Sequence, residues 1–301
     1  MKVRHAINDW LTECECRNYS PKTIKGYKTN LNIFATYLEE EQNIVQVDDI
    51  NMAVIKQFTQ YMIKGRKATY VNSLLKSAKS FIQYMYEEYG EGFNTHGKKF
   101  RWLKEEKPLI KTFRPKHIKY ILDECRGVDF LSIRDFTIVT TFIETGIRCN
   151  ELIQIKPQDI FDDYILINGK GNKRRIVPIT PHLKKALMRY DRVRESYFQF
   201  KGTDENYFLS YTGKVLTNSG IEHMLKRRCK GLEDAIGIRC SPHDFRHFFA
   251  QTSLKQGRDI YSISRQLGHE SLSITAIYLR SLQDEDMIKL AKENSILRNM
   301  R

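Results

Sequence analysis

From Lys98 to Pro115 the chain is basic, carries Pro108 and Pro115, and loses sustained apolar periodicity, so the parts on either side must fold around separate cores. Proline lacks a backbone donor and keeps the residue before it out of the helical region, so no single helix runs through this stretch. Before the break, from Ala6 to about Trp102, the spacing is helical. Ser20-Pro21 supplies an N-cap and a proline at the first helical position, after which Ile24, Tyr27, Leu31, Phe34 and Leu38 recur at helical intervals. Met52 to Ile63 and Tyr70 to Tyr86 repeat that pattern, with Gly65-Arg66-Lys67 between them. After the break, Ile133 to Glu144 predicts a buried helix stopped by Gly146, and Glu151-Leu152 begins a short one. The β-rich runs Tyr164 to Ile167 and Arg175 to Ile179 flank Gly169-Lys170-Gly171-Asn172, which predicts a hairpin closed by a glycine-bearing loop. The expectation is a mainly α protein with a small antiparallel β-sheet: a helical domain over 1–104, a linker over 105–115, and a mixed α/β domain over 116–301. Met287, Ile288, Leu290, Ala291 and Leu297 predict a tail helix at its end, either packed on its own domain or docked on a neighbouring protomer.

Charge narrows the partner. Lys and Arg number 50 against 36 Asp and Glu in 301 residues, a formal charge of +14 that favours a polyanion, although an ordinary basic protein carries such a balance too. Lys22, Lys25 and Lys28 share one side of the first helix, and Lys76 and Lys79 mark another; such faces are either merely solvated or laid on phosphates. The six cysteines show no C-x-x-C pair, which excludes the usual zinc frameworks and a dense disulfide scaffold, and they read as reduced thiols. Met1 to Trp10 lacks an apolar signal core and no uncharged apolar run is long enough for a bilayer, so a cytoplasmic protein is expected.

The chemistry-bearing residues gather in the second part. Thr145-Gly146-Ile147-Arg148, Ser241-Pro242-His243-Asp244-Phe245-Arg246-His247, Leu267-Gly268-His269 and then, nine residues on, Tyr278 supply two arginines, histidines and a phenol. A phosphoryl group under attack gathers charge on its equatorial oxygens and needs fixed cations; arginine forks fit two such oxygens at once. A tyrosine that attacks forms a covalent phosphotyrosine and so stores the cleaved bond for a second step. In Ser241-Pro242-His243-Asp244 the serine caps, the proline takes the first helical position and the aspartate the third, so a helix starts here with His243 and Arg246 on one face. His243 and His247 stand at zinc-helix spacing, but that pattern needs a glutamate after the first histidine and would not tolerate Arg246 beside the metal.

These fragments resemble the tyrosine recombinase, or phage-integrase, family across the second domain. Thr-Gly-Ile-Arg148 followed by Glu151-Leu152 resembles the first box, with Arg148 as the first catalytic arginine. Gly169-Lys170-Gly171-Asn172-Lys173-Arg174-Arg175 is similar to the family's β-hairpin, and the resemblance makes Lys170, between the glycines, the catalytic lysine rather than Lys173. His243-x-x-Arg246 resembles the second box, with Phe245 where leucine is commoner, and His269 and Tyr278 match the third histidine and the nucleophile. The first domain resembles the family's core-binding (SAM-like) domain in size, helicity and basic character only.

The resemblance implies a metal-independent, cofactor-free DNA strand breakage and rejoining. Tyr278 attacks phosphorus and leaves a 3′-phosphotyrosine, His243 acts as base or proton relay, Arg148 and Arg246 hold non-bridging oxygens, His269 adds a hydrogen bond, and Lys170 protonates the departing 5′-oxygen. It further implies double-stranded DNA target sites, a homo-tetramer on two of them, accessory DNA-bending proteins, and integration, excision or resolution of the kind that serves mobile genetic elements. Lys22, Lys25, Lys28, Lys76, Lys79, Lys173, Arg174 and Arg175 are the further expected DNA contacts. Type IB topoisomerases share the chemistry, but the position of His243 is usually lysine in their pattern. A catalytically silent DNA-binding protein of the same fold would have no use for Tyr278 or Lys170.

Overall fold

The computed structural model of the chain describes residues 1–90, 100–105, 110–169, 174–232, 235, 237–281 and 284–293. It forms two compact units, Met1–Pro108 and Leu109–Arg301, each with its own buried apolar cluster. Both are built mainly of helices, and the second carries a two-stranded antiparallel sheet.

The first unit consists of α1 (Val3–Cys16), α2 (Pro21–Gln42), α3 (Met52–Ile63) and α4 (Ala68–Tyr89). α2 begins as its sequence dictates: the Ser20 side chain accepts from the Thr23 N–H and Pro21 opens the first turn, while Asn43 ends the helix in the left-handed region. Trp10, Phe34, Phe58 and Phe81 fill the core, and the hydroxyls of Tyr84 and Tyr89 both donate to Asp9 at 2.8 Å. Lys22, Lys25, Lys28, Lys76 and Lys79 all stay exposed, and the Lys79 ammonium lies 5.9 Å from the Trp102 ring centre.

In the second unit α5 (Pro115–Glu124) leads into α6 (Phe130–Thr145), which is buried along most of its length between α8 (Pro181–Phe198) and α10 (Pro242–Lys255). A helix so enclosed satisfies most of its polar side chains internally, Thr140 being the buried exception among the described residues. Thr137 and Thr141 return their hydroxyls to the carbonyls of Ile133 and Thr137 at 2.8 and 2.7 Å. Asp135, fully buried, is neutralised by Arg134 at 2.7 Å and by Arg228 at 2.9 Å. Gly146 then takes φ 64° and ends the helix; a Cβ there would lie 2.6 Å from the Phe249 ring. Ile110 and Phe113, next to Pro115, belong to the second unit: Phe113 is buried against Phe245, and the Ile110 carbonyl accepts from Gln251.

The sheet pairs β1 (Tyr164–Asn168) with β2 (Arg174–Pro178), in the register Tyr164 to Pro178 and Asn168 to Arg174. Ile165, Ile167 and Val177 face the core, the alternation of a strand pair covered on one side. Around it stand α7 (Cys149–Gln154), α9 (Asn218–Arg228), α11 (Ile260–Leu267), α12 (Leu272–Ala276), a 3-10 turn at Ile277–Ser281 and α13 (Asp284–Glu293). Phe245, at the first turn of α10, packs with its ring centre 4.9 Å from that of Phe113 and 6.2 Å from that of Phe142. Phe245→Ala should therefore lower stability by about 3–5 kcal/mol, the usual cost of emptying a fully packed aromatic site. Thermal or urea unfolding checks this, and a loss below about 1 kcal/mol would mean the core closes over the gap.

Candidate functional site

Local sequence signals aim each functional side chain. Ser241 caps α10, its backbone N–H donating to Asp244 at 3.1 Å, with Pro242 in the first turn, so His243, Arg246 and His247 project from a rigidly started helix. Arg148 is the residue just before α7, held there because its backbone N–H donates to the Glu151 carboxylate at 2.7 Å. α11 ends at Gly268, which adopts φ 67° and turns the chain so that His269 follows directly on the helix terminus.

These elements converge on the last carbonyls of α11. Arg246, 3% exposed, donates to the Leu267 carbonyl at 2.8 Å and to the Gly146 carbonyl at 2.9 Å. Arg148 donates to the same Leu267 carbonyl at 3.4 Å and to the Gly268 carbonyl at 3.1 Å. Among the described residues no carboxylate forms an ion pair with Arg246. Burial and then Arg148 push its guanidinium down to about 10, which leaves it charged at neutral pH. A buried carboxylate, Glu151, is shared between Arg148 at 2.9 Å and Arg175 at 2.8 Å. Burial pushes its carboxyl up, but the two guanidiniums and the Arg148 N–H outweigh that and hold it below the ordinary value. Three arginines and one glutamate leave a surplus of fixed positive charge, the electrostatics of an anion site.

Arg148 stands where two clefts meet. One, of about 830 Å³, is lined by Glu151, Arg174, Arg175, Gly268 and His269 as well as Arg148. The other, of about 210 Å³, adds His243 and Arg246. His269 is held by Thr275, whose hydroxyl lies 2.7 Å from Nδ1. Burial, then Arg246 and Arg148, drives its ring down to about 4. His243, at the surface, is lowered by partial desolvation and the same two arginines.

Tyr278 is placed differently. It is 2% exposed, packed with Phe249, Leu254, Ile263 and Leu267, and its hydroxyl lies 2.8 Å from His247 Nδ1. Burial raises the phenol above its ordinary value. His247, driven to about 4 by burial and by His243, is neutral at physiological pH, so its Nδ1 can accept the phenolic hydrogen. The rings of His243 and His247 stand 4.1 Å apart, centre to centre. Thus Arg148, Arg246, His243 and His269 gather around the clefts, whereas Tyr278 is buried in the core against His247. Lys170 and Lys173 lie outside the described residues.

His247, which sequence reasoning weighed only as a metal ligand, is a partner of the phenol. Its signal was present in the spacing, since a residue four positions after His243 shares its helix face. Among the described residues no group of three metal-ligating side chains occurs, and no helix is long and apolar enough to cross a membrane. Arg174 is exposed and lines the larger cleft, while Arg175 is turned inward, its guanidinium 12% exposed on Glu151.

The two low histidines set a pH dependence. Free rings take up a proton near 6.5, whereas His247 and His269 in the folded chain resist until about 4. Between these values the unfolded chain binds more protons, so unfolding free energy rises with pH: this contribution is complete above about 6.5 and is lost as pH falls toward about 4. The melting temperature should fall across that window, and the double variant His247→Gln, His269→Gln should fall less steeply. An equal slope in both would place the dependence on other groups.

Residues 111–285 match the model of the phage integrase family, and residues 7–91 match that of the phage integrase N-terminal SAM-like domain. The chain is 28% identical over 287 residues to the tyrosine recombinase XerC of Halalkalibacterium halodurans, covering 89% of each. It is 30% identical over 272 residues to XerC of Leptospira interrogans, covering 87% of this chain and 84% of that one. A crystal structure of the XerH site-specific recombinase bound to its palindromic difH substrate after cleavage superposes with a TM-score of 0.73 at 20% identity, over 94% of this chain and 82% of that one.

Proposed function

The chain belongs to the phage integrase family of tyrosine recombinases and is a site-specific DNA recombinase, and from that membership we propose that its strand cleavage is a transesterification by Tyr278 at a phosphate held between Arg148 and Arg246. The observation that carries this reading is the pair of guanidiniums, Arg148 and Arg246, fixed on one helix-terminal carbonyl, with Glu151 paired to the first and, among the described residues, no carboxylate paired to the second. Such a pair presents preorganised donors to an oxyanion without having to assemble them during the reaction.

In the proposed step the Tyr278 oxygen bonds to phosphorus as the bond from phosphorus to the 5′-oxygen breaks. The phenolic proton passes to a histidine, and Lys170 protonates the departing oxygen. His247 is the immediate acceptor by distance, and His243, with its ring beside it, fits the relay to solvent. His269 adds a donor to the bound phosphate. A phenol 2% exposed cannot meet phosphorus, so the Ile277–Ser281 turn must swing outward first. Reversal with the 5′-hydroxyl of another strand completes the exchange. No cofactor enters the scheme.

The division of labour follows the same reading. The first unit, to Pro108, is a core-binding domain that applies Lys22, Lys25, Lys28, Lys76 and Lys79 to double-stranded DNA, and the second, in which Ile110 and Phe113 are already packed, is the catalytic domain, with Lys173 and Arg174 as further phosphate contacts. Recombination joins two sites, which calls for a homo-tetramer with accessory DNA-bending proteins as added partners. α13 suits contact with a neighbouring protomer, because Met287 and Ile288 are each 55% exposed.

The test is to incubate the protein with fragmented DNA from its source, trap covalent complexes, and map the attached ends. Tyr278→Phe should keep affinity for the recovered site and form no adduct on a nicked suicide duplex carrying it. An adduct that persists in the variant would remove Tyr278 from the role. Cleavage should continue undiminished in excess EDTA, since the cations are side chains; loss rescued by a divalent ion would overturn the scheme.

A further inference from the structure

Arg175, on β2, has every nitrogen engaged inside the protein. Its Nη1 and Nη2 donate to the two oxygens of Glu151 at 2.8 Å each, and its Nε donates to the Gln266 carbonyl at 2.8 Å. Glu151, through those same oxygens, accepts from the backbone N–H of Arg148 at 2.7 Å and from its guanidinium at 2.9 Å. The two side chains are 12% and 7% exposed, so solvent competes little for these bonds. The guanidinium also lies flat against the turn that carries His269, because a Cβ on Gly268 would stand 3.0 Å from its Cζ, Nε and Nη1.

We propose that Arg175 is a positioning residue for strand cleavage, one guanidinium that aims Arg148 through Glu151 and fixes the Gly268–His269 turn through the Gln266 carbonyl. This rests on the reading of Arg148 and His269 as phosphate ligands given above. Two functional groups from chain segments far apart in sequence are thereby referred to one rigid plane. A lysine could supply the charge at this position but not the two-pronged grip together with a third donor at a fixed angle. The role differs from that of a surface cation laid on the DNA backbone, since three of its five N–H donors, one on each nitrogen, are already engaged inside the protein.

The pairing also sets the state of Glu151. Burial alone drives a carboxyl toward its neutral form, and Arg175 is the foremost opposing influence. Without Arg175 a protonated Glu151 would release Arg148. Deprotonation at higher pH would restore part of that grip.

The experiment uses the full chain and a nicked suicide duplex carrying the site recovered by trapping. At saturating protein, Arg175→Ala should form adduct more slowly by roughly 100-fold, the scale of loss when a reacting group is misplaced by about an ångström. Affinity and its salt dependence should be unchanged. The deficit should shrink as pH is raised from about 6 to about 9, which lost packing alone would not produce. Arg175→Lys should recover part of the rate; if the alanine variant does not fold, the lysine variant, melting as the native chain does, must still cleave slowly with unchanged affinity. Native cleavage rates in both variants would overturn the proposal, as would weaker binding with a salt dependence reduced by about one phosphate contact. If Tyr278→Phe forms the same adduct as the native chain, the functional reading itself fails. If that adduct is lost while Arg175→Ala cleaves normally, only the positioning role fails.

Discussion

Two guanidiniums share the carbonyl of Leu267, and the rest of the site is arranged around that fact. The last carbonyls of a helix have no partner within it and carry the negative end of its dipole, so they attract cations without neutralising them. α11 thereby holds Arg148 and Arg246 side by side, 2.8 to 3.4 Å from one oxygen, against their mutual repulsion. A carboxylate in the same place would have bound them more tightly and cancelled the field an incoming anion needs. Gly146 and Gly268, the two left-handed glycines beside these contacts, allow the backbone to offer its oxygens from both sides.

The same economy explains Glu151. One buried carboxylate is enough to fix the directions of Arg148 and Arg175 and too little to balance the charge of three arginines. Its carboxyl is held below the ordinary value because the two guanidiniums and the Arg148 N–H outweigh the cost of burial. His269 and His247, both driven to about 4, remain neutral in this surplus of positive charge and so serve as hydrogen-bonding groups rather than added cations.

Much of this was legible in the chain itself. Helix starts at Ser20-Pro21 and Ser241-Pro242, the stop at Gly146 and the strand pair follow from local rules of capping and alternation, which depend on neighbours in sequence. Arg148, Arg246, His243 and His269 were recognisable because their motifs are short and contiguous. The inward turn of Arg175 was not, because a basic residue in a basic run reads as surface until its partner, 24 positions earlier, is known. Ile110 and Phe113 were hidden for a related reason: two apolar residues among charges show no period, and only the distant Gln251 and Phe245 give them an inside. The pairing of His247 with Tyr278 spans 31 positions and depends on how α12 and the following turn fold back on α10.

The concealed Tyr278 has a consequence for discrimination. A phenol packed among Phe249, Leu254 and Leu267 emerges only when other contacts repay the apolar surface it leaves behind. In the role proposed for Tyr278, the cleaving form is then a minority state, and the rate carries its population as a factor. Any stretch of duplex can touch the basic surface, but only one that binds the emerged form more tightly raises that population. Selectivity thus resides partly in an equilibrium within the protein: a poor sequence is occupied and released intact, the threat of a stray break having been removed before chemistry begins.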